Sequence, residues 1–166
     1  MQFTKALFVL FTAAVTQSSA KTSKPTNNWP WGLQPTGNYC PPRAASALEQ
    51  QAIFDAFVRT FYVENNTTAA LTNYVSEEYI QHNPYVLSGI QPAINFLKGY
   101  TVNFTFTVEH TGFDRDLAWV HLKVQDPGKP VTAIFDLYRF NGSCIVEHWD
   151  VIQALPADAP NPLALF

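Results

Sequence analysis

The stretch Val131 to Gln153, VTAIFDLYRFNGSCIVEHWDVIQ, decides the fold. Two runs rich in β-branched and aromatic residues, Thr132 to Phe140 and Cys144 to Ile152, flank Asn141-Gly142, a dipeptide that tolerates the positive φ angles of a tight hairpin turn. The segment reads as a β-hairpin. Its strands carry Asp136, Glu147, His148 and Asp150, and an unpartnered charge inside a sheet is costly, so these groups predict either a wetted edge or a lined cavity. Register decides which of them meet. A strict two-residue turn at Asn141-Gly142 sets Asp136 opposite Glu147 and sends His148 and Asp150 to the other face. A three-residue loop over Phe140, Asn141 and Gly142 gathers Asp136, His148 and Asp150 on one face. Both registers are open; the second is preferred for the chemistry it permits.

Outward from the hairpin, the period of two continues upstream in Phe104 to His110 and Leu117 to Val124, joined by Gly112 to Asp116 and by the Asp126-Pro127-Gly128 turn. Before Thr101 the pattern is helical. From Ala44 to Asn65, apolar residues such as Leu48, Ala52, Phe61 and Tyr62 recur at three- and four-residue steps, and Ser46 with Glu49 resembles a capping box. Thr67 to Val75 fits a second helix capped by Thr67 or Thr68. Gly89 to Gly99 fits a third, with Pro92 tolerated in its first turn and Ala93, Ile94 and Leu97 on its packed face. Helices first and a meander of antiparallel strands afterwards imply α+β, with helices covering one face of a curved sheet.

The 166 residues, 47% hydrophobic and 14% charged, suffice for one core. A net charge of -3 with scattered Lys and Arg offers no basic surface, so nucleic acid is not an expected partner. Residues 1–20 read as a signal peptide: Lys5, the apolar run Ala6 to Val15, then the small-residue site Ser18-Ser19-Ala20. That run is too short to span a bilayer, and the expectation is an extracellular, secreted chain with no membrane attachment after cleavage. Residues 21–43, with five prolines and two glycines, predict an extended arm whose Trp29, Trp31 and Tyr39 pack on the domain. Those rings could otherwise form a sugar-binding platform. Residues 44–155 form the domain, and 156–166 a proline-rich tail whose Leu163, Leu165 and Phe166 can dock back. Export favours a disulfide between Cys40 and Cys144 over two free thiols. Asn65, Asn66, Asn103 and Asn141 match the N-glycosylation acceptor pattern.

Two histidines stand outside the hairpin. Pro84 pushes Asn83 out of the helical region, so Tyr79 to Pro84 is extended and His82 can project; a His-Asn-Pro turn also serves structure alone. His121 lies mid-strand, on the face of Trp119, and would act as an oriented imidazole if the meander brought it beside Asp136; otherwise it is a satisfied strand histidine. His82, His121, His148 and the aspartates could converge on a metal, but HExxH and cysteine-pair motifs are missing. There is no Gly-x-Ser-x-Gly elbow and no glycine-rich phosphate loop. What survives is acid–base chemistry without metal or cofactor.

Tyr79-Ile80-Gln81-His82-Asn83-Pro84 followed by Gly89, then His121, Phe135-Asp136-Leu137-Tyr138-Arg139 and Glu147-His148-Trp149-Asp150-Val151-Ile152-Gln153 resemble the SnoaL-like polyketide cyclase family, within the nuclear-transport-factor-2-like superfamily. The likeness covers about residues 45 to 155. It implies a cone-shaped α+β barrel of three helices on a strongly curved antiparallel sheet, a pocket in its mouth, and a homodimer formed through the sheet. It also implies a cofactor-free aldol-type cyclase, lyase or isomerase acting on a small hydrophobic carbonyl compound. Asp150 is then the acid/base, assisted by His148 and His82, with Asn83, His121, Asp136 and Trp149 contacting substrate. The superfamily also includes non-catalytic modules, so the alternative is a secreted binding or interaction protein that holds a hydrophobic ligand in the same pocket.

Overall fold

The structure is a computed structural model that describes residues 37–166. The expected signal peptide and arm residues 21–36, with Trp29 and Trp31, lie outside the described residues. Three helices precede most of the strands: α1 (Ala47–Val58), α2 (Thr67–Tyr74) and α3 (Ile90–Tyr100). The five strands are β1 (Val75–Gln81), β2 (Thr105–Asp114), β3 (Leu117–Gln125), β4 (Thr132–Asn141) and β5 (Cys144–Ala154), in the order β1-β5-β4-β3-β2. The fold is α+β with an open sheet. β1 is the strand that sequence periodicity did not reveal; it runs parallel to β5 and makes the sheet mixed, while the other three pairings are antiparallel.

Local chemistry sets the helix ends. Ser46 Oγ accepts from the Glu49 amide at 3.3 Å and Glu49 Oε2 accepts from the Ser46 amide at 2.7 Å, the reciprocal capping box. Past Val58 the helix widens into a π-helical turn, Arg59–Val63. Asn66, rather than Thr67 or Thr68, caps α2, its Oδ1 accepting from the Ala69 amide at 3.2 Å. The helices bury Phe54, Phe57, Phe61, Leu71, Tyr74 and Ile94 against Ala118, Val120, Leu122, Tyr138, Phe140 and Ile145 on the sheet. Phe57 is wholly buried and touches Phe54, Phe61, Tyr62, Tyr74 and Tyr138; truncating such a residue to alanine typically costs about 3–5 kcal/mol.

The β4–β5 register resolves the open alternatives differently from either. Asn141 pairs with Cys144, so the turn is Gly142-Ser143; Phe140 pairs with Ile145, but Arg139 pairs with Glu147. Val146 is therefore an extra residue, a β-bulge that advances the pairing by one place. Asp136 meets Asp150 and Tyr138 meets His148, so Asp136, His148 and Asp150 share the concave face after all.

The turn is tied down by the end of the arm. A disulfide joins Cys40 to Cys144 across 104 residues. The Ser143 amide donates to the Arg43 carbonyl at 2.8 Å, and Ser143 Oγ donates to the Tyr39 carbonyl at 2.6 Å. Gly142 has φ of 52°, and a Cβ there would lie 1.9 Å from the Arg43 carbonyl oxygen, so the close approach requires glycine. At the other end of the domain the tail returns to the convex face, where Phe166 stacks on His121 at 5.8 Å. All four acceptor asparagines are exposed. Among the described residues no helix is long and apolar enough to cross a membrane.

Candidate active site

Between α3, the π-helical turn and the concave face lies a cavity of about 290 Å³. Its walls are mostly aromatic and aliphatic, with Phe57, Phe61, Phe96, Leu97, Phe104 and Ile134 among them; its floor holds Tyr62, Tyr79, Gln81, Asn83, Asp136, Tyr138, His148 and Asp150. Strand alternation explains the floor. On β4, Asp136 and Tyr138 face inward, and on β5 the bulge brings His148 and Asp150 to the same side. Along β1 and its extension, Tyr79, Gln81 and Asn83 line the cavity and the residues between them do not.

The same alternation corrects three expectations. His82 does not line the cavity. It stacks on Trp149 at 4.8 Å and 3°, with Nε2 2.8 Å from Glu147 Oε1, and its side chain is 41% exposed. Trp149 lies with it, because it alternates out of phase with His148 and Asp150. His121 pairs with Phe135, whereas Val120 faces Asp136, so the imidazole points to the convex side and not toward the aspartate. There it stacks with His110, Nδ1 to Nδ1 3.3 Å. Hydrogen bonding to His82, with Arg139 adding bonds and charge, holds the Glu147 carboxyl below its ordinary value.

The hydrogen bonds on the floor fix the direction of every donated proton but one. Gln81 Oε1 accepts from the Asn83 amide at 3.0 Å, so its Nε2 is the group that donates to Tyr79 Oη at 2.8 Å. That leaves Oε1 as the partner of His148 Nδ1 at 2.9 Å, and Nδ1 must carry a hydrogen. His148 Nε2 then faces Asp136 Oδ1 at 3.2 Å, and one proton lies between them, on the imidazole or on the carboxyl. Tyr62 donates to Asp136 Oδ2 at 2.5 Å and accepts from Tyr138 at 2.5 Å. Asn83 is oriented likewise: its Oδ1 accepts from the Tyr85 amide at 2.9 Å, so Nδ2 donates to Asp150 Oδ2 at 2.5 Å. Among the described residues no buried side-chain nitrogen or oxygen lacks a partner.

Burial, reinforced by the charge of Asp136, raises the Tyr62 and Tyr138 hydroxyls well above their ordinary value, so both remain donors. Ligating atoms of Asp136, His148 and Asp150 fall within 4.8 Å of one another, a donor set that could also hold a divalent ion. Tyr62, Tyr79, Tyr138 and Gln81 are the floor residues that sequence reasoning did not single out. The alternation Tyr79-x-Gln81-x-Asn83, read as a strand, would have found two of them.

Three helices on an open five-stranded mixed sheet, with a cavity between, constitute an NTF2-like cone fold. The solved structures of similar shape include a candidate ketosteroid isomerase from Kribbella flavida (12% identity, TM-score 0.59, covering 74% of this chain and 90% of that one). A candidate SnoaL-like polyketide cyclase from Jannaschia sp. CCS1 is 13% identical, with TM-score 0.53 over 67% of this chain and 90% of that one. A candidate polyketide cyclase from Acidithiobacillus ferrooxidans is 17% identical, with TM-score 0.51 over 63% and 88%. At these identities the likeness defines the fold alone. No family model and no curated protein matches the sequence.

Proposed function

We propose that this chain is a secreted, cofactor-independent acid/base enzyme acting on a small apolar carbonyl compound. The observation that carries the reading is the convergence of Asp136, His148 and Asp150 on the floor of an aromatic cavity. Asp150 Oδ2 is held by Asn83, and Oδ1 is left for a substrate. A carboxylate so placed removes a proton from carbon beside a carbonyl, giving an enolate. Return of that proton to another carbon is isomerisation; attack of the enolate carbon on a second carbonyl of the same molecule is aldol-type ring closure. The Asp136–His148 pair, with its single mobile proton, supplies or stores the proton that either outcome requires. Secretion is supported by the apolar segment Ala6 to Val15 and by the Cys40–Cys144 disulfide. Pairing of two copies through the convex face is supported by the exposed Phe135 and Val151.

The test is deuterium exchange into the α-carbon of acetophenone, followed by NMR. Wild-type protein is expected to exceed the buffer rate, and Asp150→Asn to fold normally and lose at least about a hundredfold. Exchange undiminished in Asp150→Asn removes Asp150 from the chemistry. Saturable binding without exchange by the wild type favours the other reading, a secreted ligand-binding module.

A further inference from the structure

A count of hydrogens on the cavity floor singles out one hydroxyl. Tyr138 gives its proton to Tyr62, Tyr62 gives its own to Asp136, and both His148 nitrogens are engaged. Tyr79 differs: its oxygen accepts from Gln81 Nε2, and its own hydrogen meets no acceptor among the described residues. Tyr79 is buried and lines the cavity. Gln81 and Asn83 each retain a second amide hydrogen, but those lie in carboxamide planes fixed by the bonds to Asn83 and Tyr85 amides. A hydroxyl hydrogen rotates about its C–O bond to meet whatever acceptor arrives.

Charge narrows the acceptor. Lysine and arginine are missing from the lining residues. With one proton shared between His148 and Asp136, the two carboxylates and the imidazole carry a net charge of about -1 wherever that proton sits. A carboxylate or phosphate entering the cavity meets this net negative charge with no lysine or arginine to offset it. An uncharged carbonyl meets a donor.

We propose that Tyr79 is the ligand-binding donor of the cavity, holding the carbonyl oxygen of an uncharged apolar ligand beside Asp150, and that the cavity excludes anionic ligands. This rests on the carbonyl reading above and assigns that substrate its charge class and its anchoring residue. The bond from Gln81 polarises the Tyr79 hydroxyl and strengthens it as a donor. Burial pushes its pKa up to about 12, so the hydrogen remains in place over the working range of pH.

The experiment uses the full chain with three probes: acetophenone carrying a ¹³C carbonyl, α-methylstyrene, in which CH₂ replaces the oxygen, and benzoate. Affinities come from calorimetry, and the bound carbonyl stretch from infrared difference spectra. Acetophenone is expected to bind about fivefold tighter than α-methylstyrene and at least about tenfold tighter than benzoate, with its stretch lowered by the hydrogen bond. In Tyr79→Phe the preference over α-methylstyrene falls to about unity and the stretch rises. Replacing Tyr79 with 3-fluorotyrosine, a more acidic donor of nearly the same shape, lowers the stretch further, and this arm serves even where the phenylalanine variant folds poorly. A stretch that neither substitution moves overturns the inference, as does benzoate binding as tightly as acetophenone, or no saturable acetophenone binding by the wild type. A Tyr79-dependent stretch in a protein without α-exchange leaves this inference standing and removes the enzymatic reading. Exchange abolished in Asp150→Asn, with a stretch indifferent to position 79, does the reverse.

Discussion

Asp136 and Asp150 stand directly opposite each other on adjacent antiparallel strands. Like charges in that position oppose sheet formation, so the pair persists because other groups answer it. His148 and Tyr62 engage Asp136, and Asn83 engages Asp150. Three of those partners come from β5, the π-helical turn and the extension of β1, so the floor is assembled only when the whole domain has folded.

Tyr62 is the first test of that assembly. Tyr62→Phe removes a donor to Asp136 and strands the Tyr138 hydroxyl. The expected loss is about 1–3 kcal/mol, read by urea denaturation. Adding Tyr138→Phe removes the stranded group, so the double variant should lose less than the sum of the single ones. Strict additivity would mean that the two hydroxyls are not coupled.

Gln81 sets the protonated nitrogen of His148. In Gln81→Leu the imidazole should populate both tautomers, visible in its ¹⁵N NMR signals, and the pH profile of α-exchange should shift. Gln81→Glu, which keeps an acceptor at that position, should restore the single tautomer. A His148 spectrum unchanged in Gln81→Leu would place the control elsewhere.

Alkaline pH probes the buried tyrosines. Burial raises Tyr62 and Tyr138 well above 10.0 and Tyr79 to about 12. A folded-state value above the unfolded one means that folding favours the protonated hydroxyl. That contribution is whole below pH 10 and is lost as pH rises through the folded values. Stability should therefore decline from about pH 10 upward, with a late fraction of tyrosinate absorbance appearing together with unfolding. Full tyrosinate formation in protein that remains folded would contradict the burial of these groups.

The Cys40–Cys144 bond closes a loop of 104 residues. Loss of such a link typically costs about 2–5 kcal/mol. The Cys40→Ser/Cys144→Ser protein should melt lower, and reductant should bring the wild type to the same midpoint. A wild-type midpoint indifferent to reductant would show that Ser143, Arg43 and Tyr39 hold the turn without it.

The helices and four of the strands were legible because their apolar periods are long and their boundaries chemical: Ser46 with Glu49, Gly89 with Pro92, and Asp126-Pro127-Gly128. β1 was not. VSEEYIQ has two adjacent glutamates and lies at the sheet edge, and its partner β5 is some seventy residues away. Pro84 announced an extended chain but not its parity, which is why His82 drew attention while Tyr79 and Gln81 did not. Parity also misplaced His121, since it is the immediate neighbour of Val120, the partner of Asp136. Tyr62 and Tyr138 looked like ordinary core positions, and only the folded chain brings their hydroxyls to a carboxylate.

Val146 acts on β5 as a vernier. Were Val146 paired with Arg139 instead of bulged, the register that begins at Phe140 and Ile145 would continue unbroken, and Trp149 would stand across from Asp136, Glu147 across from Tyr138. The hollow would then display an indole and a glutamate, and His148 with Asp150 would be turned to the solvent. Two reagents are thus written in alternate letters of one strand, and one residue left out of the pairing selects which of them the interior uses.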